Sequence, residues 1–183
     1  MSVITLKNVR LSFPQIWTAK AFNEGQDAKF SANFLLDKDR DKEQIDNLKK
    51  AIKQAVTAEW GGVTPSKLKI FLGNGADKAH DGYENTMFVS ASSRNRPTII
   101  DRDRTPLVQE DGKPYAGCYV NAAISIWVMN NGYGNRVLCN LLAMQFVKDG
   151  ETFGAAAAVK ADTLFDDISA ESAADAETDD FLA

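Results

Sequence analysis

The sequence predicts a mainly β domain, compatible with a small barrel: roughly six short strands and one helix. Three observations predict it. Runs rich in β-branched and aromatic residues alternate apolar with polar. A single segment repeats its apolar residues at helical spacing. Clusters of Gly, Pro, Asn and Asp separate these runs.

Residues 3–13 read as the first strand, ended by Pro14. KFSANFLLD (29–37) alternates, with Phe30, Ala32, Phe34 and Leu36 on one face. A helix follows: Asp41 and Gln44 have capping-box spacing, with Asp in the usual Ser/Thr place. Ile45, Leu48, Ile52 and Ala55/Val56 form its apolar stripe, and Gly61-Gly62 ends it. Lys49, Lys50 and Lys53 on its other face read as a solvated surface, since Asp46 lies one turn away. Residues 63–85 are turn-rich, with room for a short strand at 68–72. Strands resume at 86–93 and 97–101, and a long hairpin runs from 117–129 through NNGYGN to 136–148. From about residue 155 the composition turns to Ala, Asp, Glu, Ser and Thr, too poor in large apolar groups to offset the entropy of ordering. The expected organisation is therefore a domain over 1–155 and a disordered acidic tail over 156–183, with a short amphipathic turn at Leu164-Phe165-Ile168.

Charge divides the chain. Net charge is -4, but the eight acids after Lys160 have no basic neighbours; without them residues 1–160 carry +4. A basic body with an acidic end suggests a polyanion partner for one and a polyanion mimic in the other. No stretch approaches the ~18 unbroken apolar residues of a membrane span, and the alternating N-terminus lacks a signal-peptide core. Cys118 and Cys139 are too few for a disulfide framework or a zinc set. The expectation is a cytoplasmic protein with no cofactor, no metal and no membrane attachment.

The residues available for catalysis are sparse. His80 is the single histidine, and Gly73-Asn74-Gly75 lacks the Lys-Ser/Thr of a phosphate loop. A metal-dependent nuclease would have to use Asp101, Asp111 and Lys113, two carboxylates for a metal and a lysine for a water. Yet residues 110–114 have the composition of a turn.

Binding an unpaired strand requires cations for phosphates and exposed rings for bases. On strand 117–129, Val120, Ala122, Ile124, Ile126 and Val128 share a core-like face, while Tyr119, Asn121, Ser125 and Trp127 share the other. At 86–94, Met87, Val89 and Ala91 oppose Thr86, Phe88, Ser90, Ser92 and Arg94. Aromatics among small polar residues suit a stacking surface, although a sheet face covered by a loop or a second subunit would read the same. Arg10, Lys20, Lys29, Arg94, Arg96 and Arg136 are the candidate phosphate contacts; Arg94-Asn95-Arg96 has no adjacent acid, whereas Arg102 and Arg104 alternate with Asp101 and Asp103. Trp17 joins the ring candidates, and Tyr133, between two glycines at the hairpin tip, can swing out to stack.

NVRLSFPQIWTAKAF, then KFSANFLLDK before an amphipathic helix, GYENTMFVSASSRNRPTIIDRDRTPL, YAGCYVNAAISIWV and NLLAMQFVKDGETFG together resemble a phage and prophage single-stranded DNA-binding family over residues 1 to about 155. The resemblance implies an OB-fold-like barrel of five to six strands, elaborated by one principal helix and long loops. It also implies protection of displaced strands in phage DNA replication, recombination or repair. The loop FLGNGADKAHDG departs from the acidic form the resemblance implies and is assigned no role. The end of the chain, with Asp175, Glu177, Asp179 and Asp180 before Phe181 and Leu182, is similar to the acidic, Phe-bearing ends of bacterial and phage single-strand binding proteins. Phe181 and Leu182 can enter an apolar slot on a replication or recombination protein while the acids meet its basic rim. The sequence thus predicts a non-catalytic, sequence-tolerant binder of single-stranded DNA. The rivals are the nuclease and an adaptor whose outward rings bury a protein; a homo-oligomer is compatible with each.

Overall fold

A computed structural model describes residues 3–21, 23–80, 82–132, 134–153, 166 and 168–169. Its elements in chain order are β1 (Val3–Lys20), β2 (Lys29–Asp37), α1 (Lys42–Trp60), β3 (Lys69–Ile70), β4 (Leu72–Asn74), β5 (Thr86–Ser93), β6 (Thr98–Ile100), β7 (Tyr119–Asn131) and β8 (Gly134–Lys148). Antiparallel pairs β1–β2, β2–β5, β7–β8 and β1–β7 join five strands, and a parallel link at Ser92↔Asn140 closes β5 onto β8. The closed order β1-β2-β5-β8-β7 is the Greek-key barrel of the OB fold that the resemblance implied. β3, β4 and β6 are additions to it.

Alternation places the core. Phe34 and Leu36 from β2, Val89 and Ala91 from β5, Val120, Ala122 and Ile124 from β7, and Val137, Cys139 and Leu141 from β8 are each at most 2% exposed. The expected inner faces of β2, β5 and β7 are therefore the observed ones. Each buried Val, Leu, Ile or Phe among them contributes about 1.5–3 kcal/mol. α1 lays Ile45, Leu48, Ile52 and Val56 against this core. It ends as expected, at Gly61 with φ 64° and its N–H on Thr57 O.

Two local expectations are corrected. β1 does not stop at Pro14 but continues to Lys20. The register with β2 shifts between Ser12 and Gln15, so the missing proline N–H falls in a bulge rather than in the ladder. The Asp41–Gln44 capping box does not form, because both side chains are recruited elsewhere. Gln44 makes a two-way bond with the Lys7 backbone, accepting from its N–H at 2.8 Å and donating to its carbonyl at 2.9 Å, which ties the helix to β1. Asp41, buried, accepts from Asp37 N and pairs with Arg40 at 2.8 Å.

The segment after β8 returns to the barrel. Phe153 N–H bonds to Ala116 O, and the Glu151 backbone lies so close over Gly117, at φ 107°, that a side chain there would meet it.

Candidate nucleic-acid interface

The pleat that buries Val89 and Ala91 turns Phe88, Ser90 and Ser92 outward. Cα pairing extends this surface across the barrel: Gln15 lies opposite Ser31, Ser31 opposite Ser92, and Ser92 opposite Asn140. Ser31, Ser92 and Asn140 are half-buried and Ser90 is exposed, so small polar groups form a low floor. In OB folds the outer face of the second and third barrel strands, with the loops joining strands one to two and four to five, binds oligonucleotides and oligosaccharides. Here those parts are β2 and β5, the connection between β1 and β2, and the connection between β7 and β8.

Cations gather at the end with the β1–β2 connection. Lys20 and Lys29 are direct cross-strand partners, and Phe30 pairs with Ser93, which brings Arg94 and Arg96 to the same edge. Like charges placed directly opposite repel, so this edge gains when a polyanion neutralises it. Arg96 lies 5.9 Å from the Phe30 ring and donates to Trp17 O at 2.9 Å. Trp17 itself is half-buried against the core. Arg94, which has no acid beside it in sequence, is brought by the fold to 2.7 Å from Asp27, an exposed pair that solvent screens. At the other end, Trp127 is 37% exposed on β7, and Arg136 on β8 pairs with Met129 and Lys69. Tyr133 and the tail candidates Asp175, Glu177, Asp179, Asp180, Phe181 and Leu182 lie outside the described residues, as does the tail itself but for isolated positions.

Three further candidates are outward but not free. Phe88 packs over Gly73, tilted against Tyr83 at 5.9 Å, with the Lys78 ammonium 5.6 Å from its ring. The loop carrying Tyr83 has folded over this part of the sheet: Tyr83, 1% exposed, donates to Ser12 Oγ and accepts from Asn33. The stretch FLGNGADKAHDG, assigned no role from sequence, leads into Tyr83 and supplies β4, Lys78 and His80 beside it. Tyr119 is flanked by Lys148 at 4.8 Å and Arg40 at 5.5 Å. The Asp41 carboxylate beside Arg40 holds its guanidinium still more firmly protonated. Arg10 is a clasp: Nε donates to Gly117 O at 3.1 Å, Nη2 to Glu151 O at 2.6 Å, and its guanidinium stacks 3.9 Å from the Phe153 ring. On β7, Ser125 is fully buried and Asn121 bonds to Gln145 and Asn8, so this strand's outer face is open chiefly at Trp127.

Sequence reasoning missed Phe13, His80, Tyr83 and Phe153, which sit together beside the floor. Rings of Phe13 and His80 meet edge-on at 5.0 Å, and His80 and Tyr83 at 5.3 Å. Phe13-Pro14 inside an otherwise regular strand was the available signal.

The carboxylates considered for a nuclease are engaged. Asp101 pairs with Lys113 at 3.0 Å, which holds its carboxyl below the usual range, and Asp111 accepts from Val108 N–H in a 3-10 turn. Among the described residues no group of three or more His, Cys, Asp or Glu is placed to hold a metal. Nor is any described helix long and apolar enough to cross a membrane.

A family model described as Enterobacter phage Enc34, ssDNA-binding protein, matches residues 1–182. Protein p50 of Acyrthosiphon pisum secondary endosymbiont phage 1 is 38% identical over 178 residues, covering 91% of this chain and 94% of that one. The single-stranded DNA-binding protein from bacteriophage Enc34, solved in complex with ssDNA, matches with TM-score 0.74 and 29% identity over 83% of this chain and 89% of its own. The single-stranded DNA-binding protein gp2.5 of bacteriophage T7 matches with TM-score 0.55 over 91% of this chain and 98% of its own; at 12% identity this is a likeness of fold.

Proposed function

Because the chain belongs to the family of the ssDNA-binding protein of Enterobacter phage Enc34, we propose that it binds single-stranded DNA without base specificity and without catalysing a reaction on it. The observation that carries this reading is the Lys20–Lys29 cross-strand pair, with Arg96 beside it, at the edge of a polar sheet face. Phosphates neutralise that edge, and the strand then crosses the floor of Ser31, Ser92 and Asn140 toward Trp127 and Arg136. Shallow serines and an asparagine discriminate little between bases, while rings accept any of them. The proposed roles are coating and protecting displaced strands during phage DNA replication, recombination or repair.

The domain then spans 1–155, and residues 156–183 act as an acidic tail. Its acids compete weakly with DNA for the cationic edge, and Phe181 and Leu182 recruit a replication or recombination protein. Titration with oligo-dT of several lengths, read by tryptophan fluorescence, tests the binding. Neutralising four to six phosphates gives a log–log salt slope of about -3 to -4. No signal at low salt refutes the reading. Deleting 162–183 leaves DNA binding intact or tighter and abolishes partner capture; weaker DNA binding by the truncated chain refutes the competition.

A further inference from the structure

Beside the floor is a cavity of about 440 Å³, lined by Ser12, Phe13, Gln15, His80, Tyr83 and Phe153 among others. We propose that this cavity takes one unstacked nucleobase of the bound strand, with Phe13 as the ring against which it lies. The inference rests on the reading of the chain as a single-strand binder, and it names a subsite which that reading does not require.

Phe13 is the unusual residue. It has φ 46°, in the left-handed region that non-glycine residues rarely adopt, and the residue is nevertheless 52% exposed. A bulky apolar residue held in a costly backbone conformation, and then shown to solvent, points to use rather than to packing. The bulge between Ser12 and Gln15 produces that geometry by turning the chain outward around Pro14. His80 and Tyr83 then fix the Phe13 ring from its edge side, at centroid distances of 5.0 and 6.4 Å. Tyr83 is itself locked by Ser12 and Asn33, so this wall is preformed.

The chemistry of the lining selects the occupant. The cavity is of the size that small ligands use, and no lysine or arginine lines it, so it is no phosphate site. The nearest guanidinium, Arg10, is committed to Gly117 O, Glu151 O and the Phe153 ring. What remains is flat rings with the Gln15 amide and the His80 imidazole among them. A flat, uncharged group with hydrogen-bonding edges matches both features; an aliphatic side chain would leave the polar groups unpaired. The cavity also adjoins the floor, because Gln15 in its lining pairs with Ser31.

The test uses the full chain and two strands of equal length, oligo-dT and an abasic deoxyribose-phosphate polymer. Phe13→Gly removes the ring and suits the positive φ, so its urea midpoint reports an intact fold. The expected result is that the ratio of dT to abasic affinity falls roughly 5- to 150-fold in Phe13→Gly, the value of one stacked base. Phe13→Tyr restores it. His80→Ala, a change on the exposed loop, lowers the ratio in the same direction and serves should Phe13→Gly fail to fold. An unchanged ratio, or an equal loss on both strands, overturns the subsite while leaving single-strand binding in place. Failure of the unaltered chain to bind either strand overturns the underlying reading instead.

Discussion

Replacing Arg10 with methionine separates two roles that a sequence cannot tell apart. Arg10 was expected to hold a phosphate, yet its guanidinium is occupied by two backbone carbonyls and a ring. Methionine keeps the apolar stem and removes only the charged fork. A hydrogen bond from a charged donor contributes about 1.5–3 kcal/mol, and an exposed cation–π contact about 0.5–1 kcal/mol. The Glu151 end of the clasp is open to water, which replaces part of the lost bonding. The net loss is then about 2–3 kcal/mol, or roughly 4–12 °C in Tm for a chain of this size. Urea unfolding followed by tryptophan fluorescence measures it, and oligo-dT titration at several salt concentrations supplies the second readout. The expected outcome is a lower urea midpoint with the salt slope of binding unchanged. An unchanged midpoint together with a slope shallower by about 0.7, the signature of one lost phosphate contact on a single strand, would refute the clasp and restore Arg10 to the DNA site.

Three other outcomes follow from the same geometry. Lys20→Gln with Lys29→Gln flattens the salt slope by about 1.4, two phosphates' worth, without lowering Tm, because directly opposed like charges are removed. A drop in Tm with an unchanged slope would mean that these lysines are structural. Trp127→Ala, at a residue 37% exposed, lowers the unfolding free energy by about 1–3 kcal/mol yet leaves the domain folded, and weakens oligo-dT binding roughly 5- to 150-fold; unfolding of the variant would show that the ring holds the hairpin. Burial pushes the Cys118 thiol up to about 11 and the Cys139 thiol further. Since the folded values are raised, both stay protonated at pH 8, where about one Cys118 in a thousand is thiolate. A colorimetric disulfide reagent should therefore react only after denaturant is added, and rapid labelling of the native chain would contradict the burial.

What the sequence shows clearly is whatever a single strand or helix decides by itself. Val120, Ala122 and Ile124 declare a buried face at a period of two because polar groups are costly in the barrel interior, and Ile45, Leu48, Ile52 and Val56 do the same at helical spacing. Barrel closure follows from those faces. What stays hidden are the partners of polar groups, which the closure sets and periodicity does not record. Arg10 meets Glu151 across 141 residues, and Arg94, just after β5, meets Asp27 in the β1–β2 loop. Tyr83 sits in a stretch with turn composition and no alternation, yet it becomes one of the most buried rings among the described residues. Pro14 misled for a related reason: its punctuation is local, while the bulge that tolerates it depends on β2 lying alongside.

The covering of the sheet also narrows where a strand can lie. Tyr83 and its loop occupy the face over Ser12, Asn33 and Phe88, and the Arg10 clasp lays residues 151–153 against its β1 side. The uncovered row is Gln15–Ser31–Ser92–Asn140, whose side chains are too short to hold a base apart from the sheet. Such a floor lets a sugar–phosphate backbone approach closely but supplies little affinity of its own. Affinity under the proposed function must therefore come from around the row: cations at Lys20, Lys29 and Arg96 on one side, the hairpin with Trp127 and Arg136 on the other, and the Phe13 cavity beside Gln15. A binder built this way holds the strand by its phosphates and a few stacked bases while leaving the bases between them unread. That is the property expected of a protein that must accept any sequence a displaced strand presents.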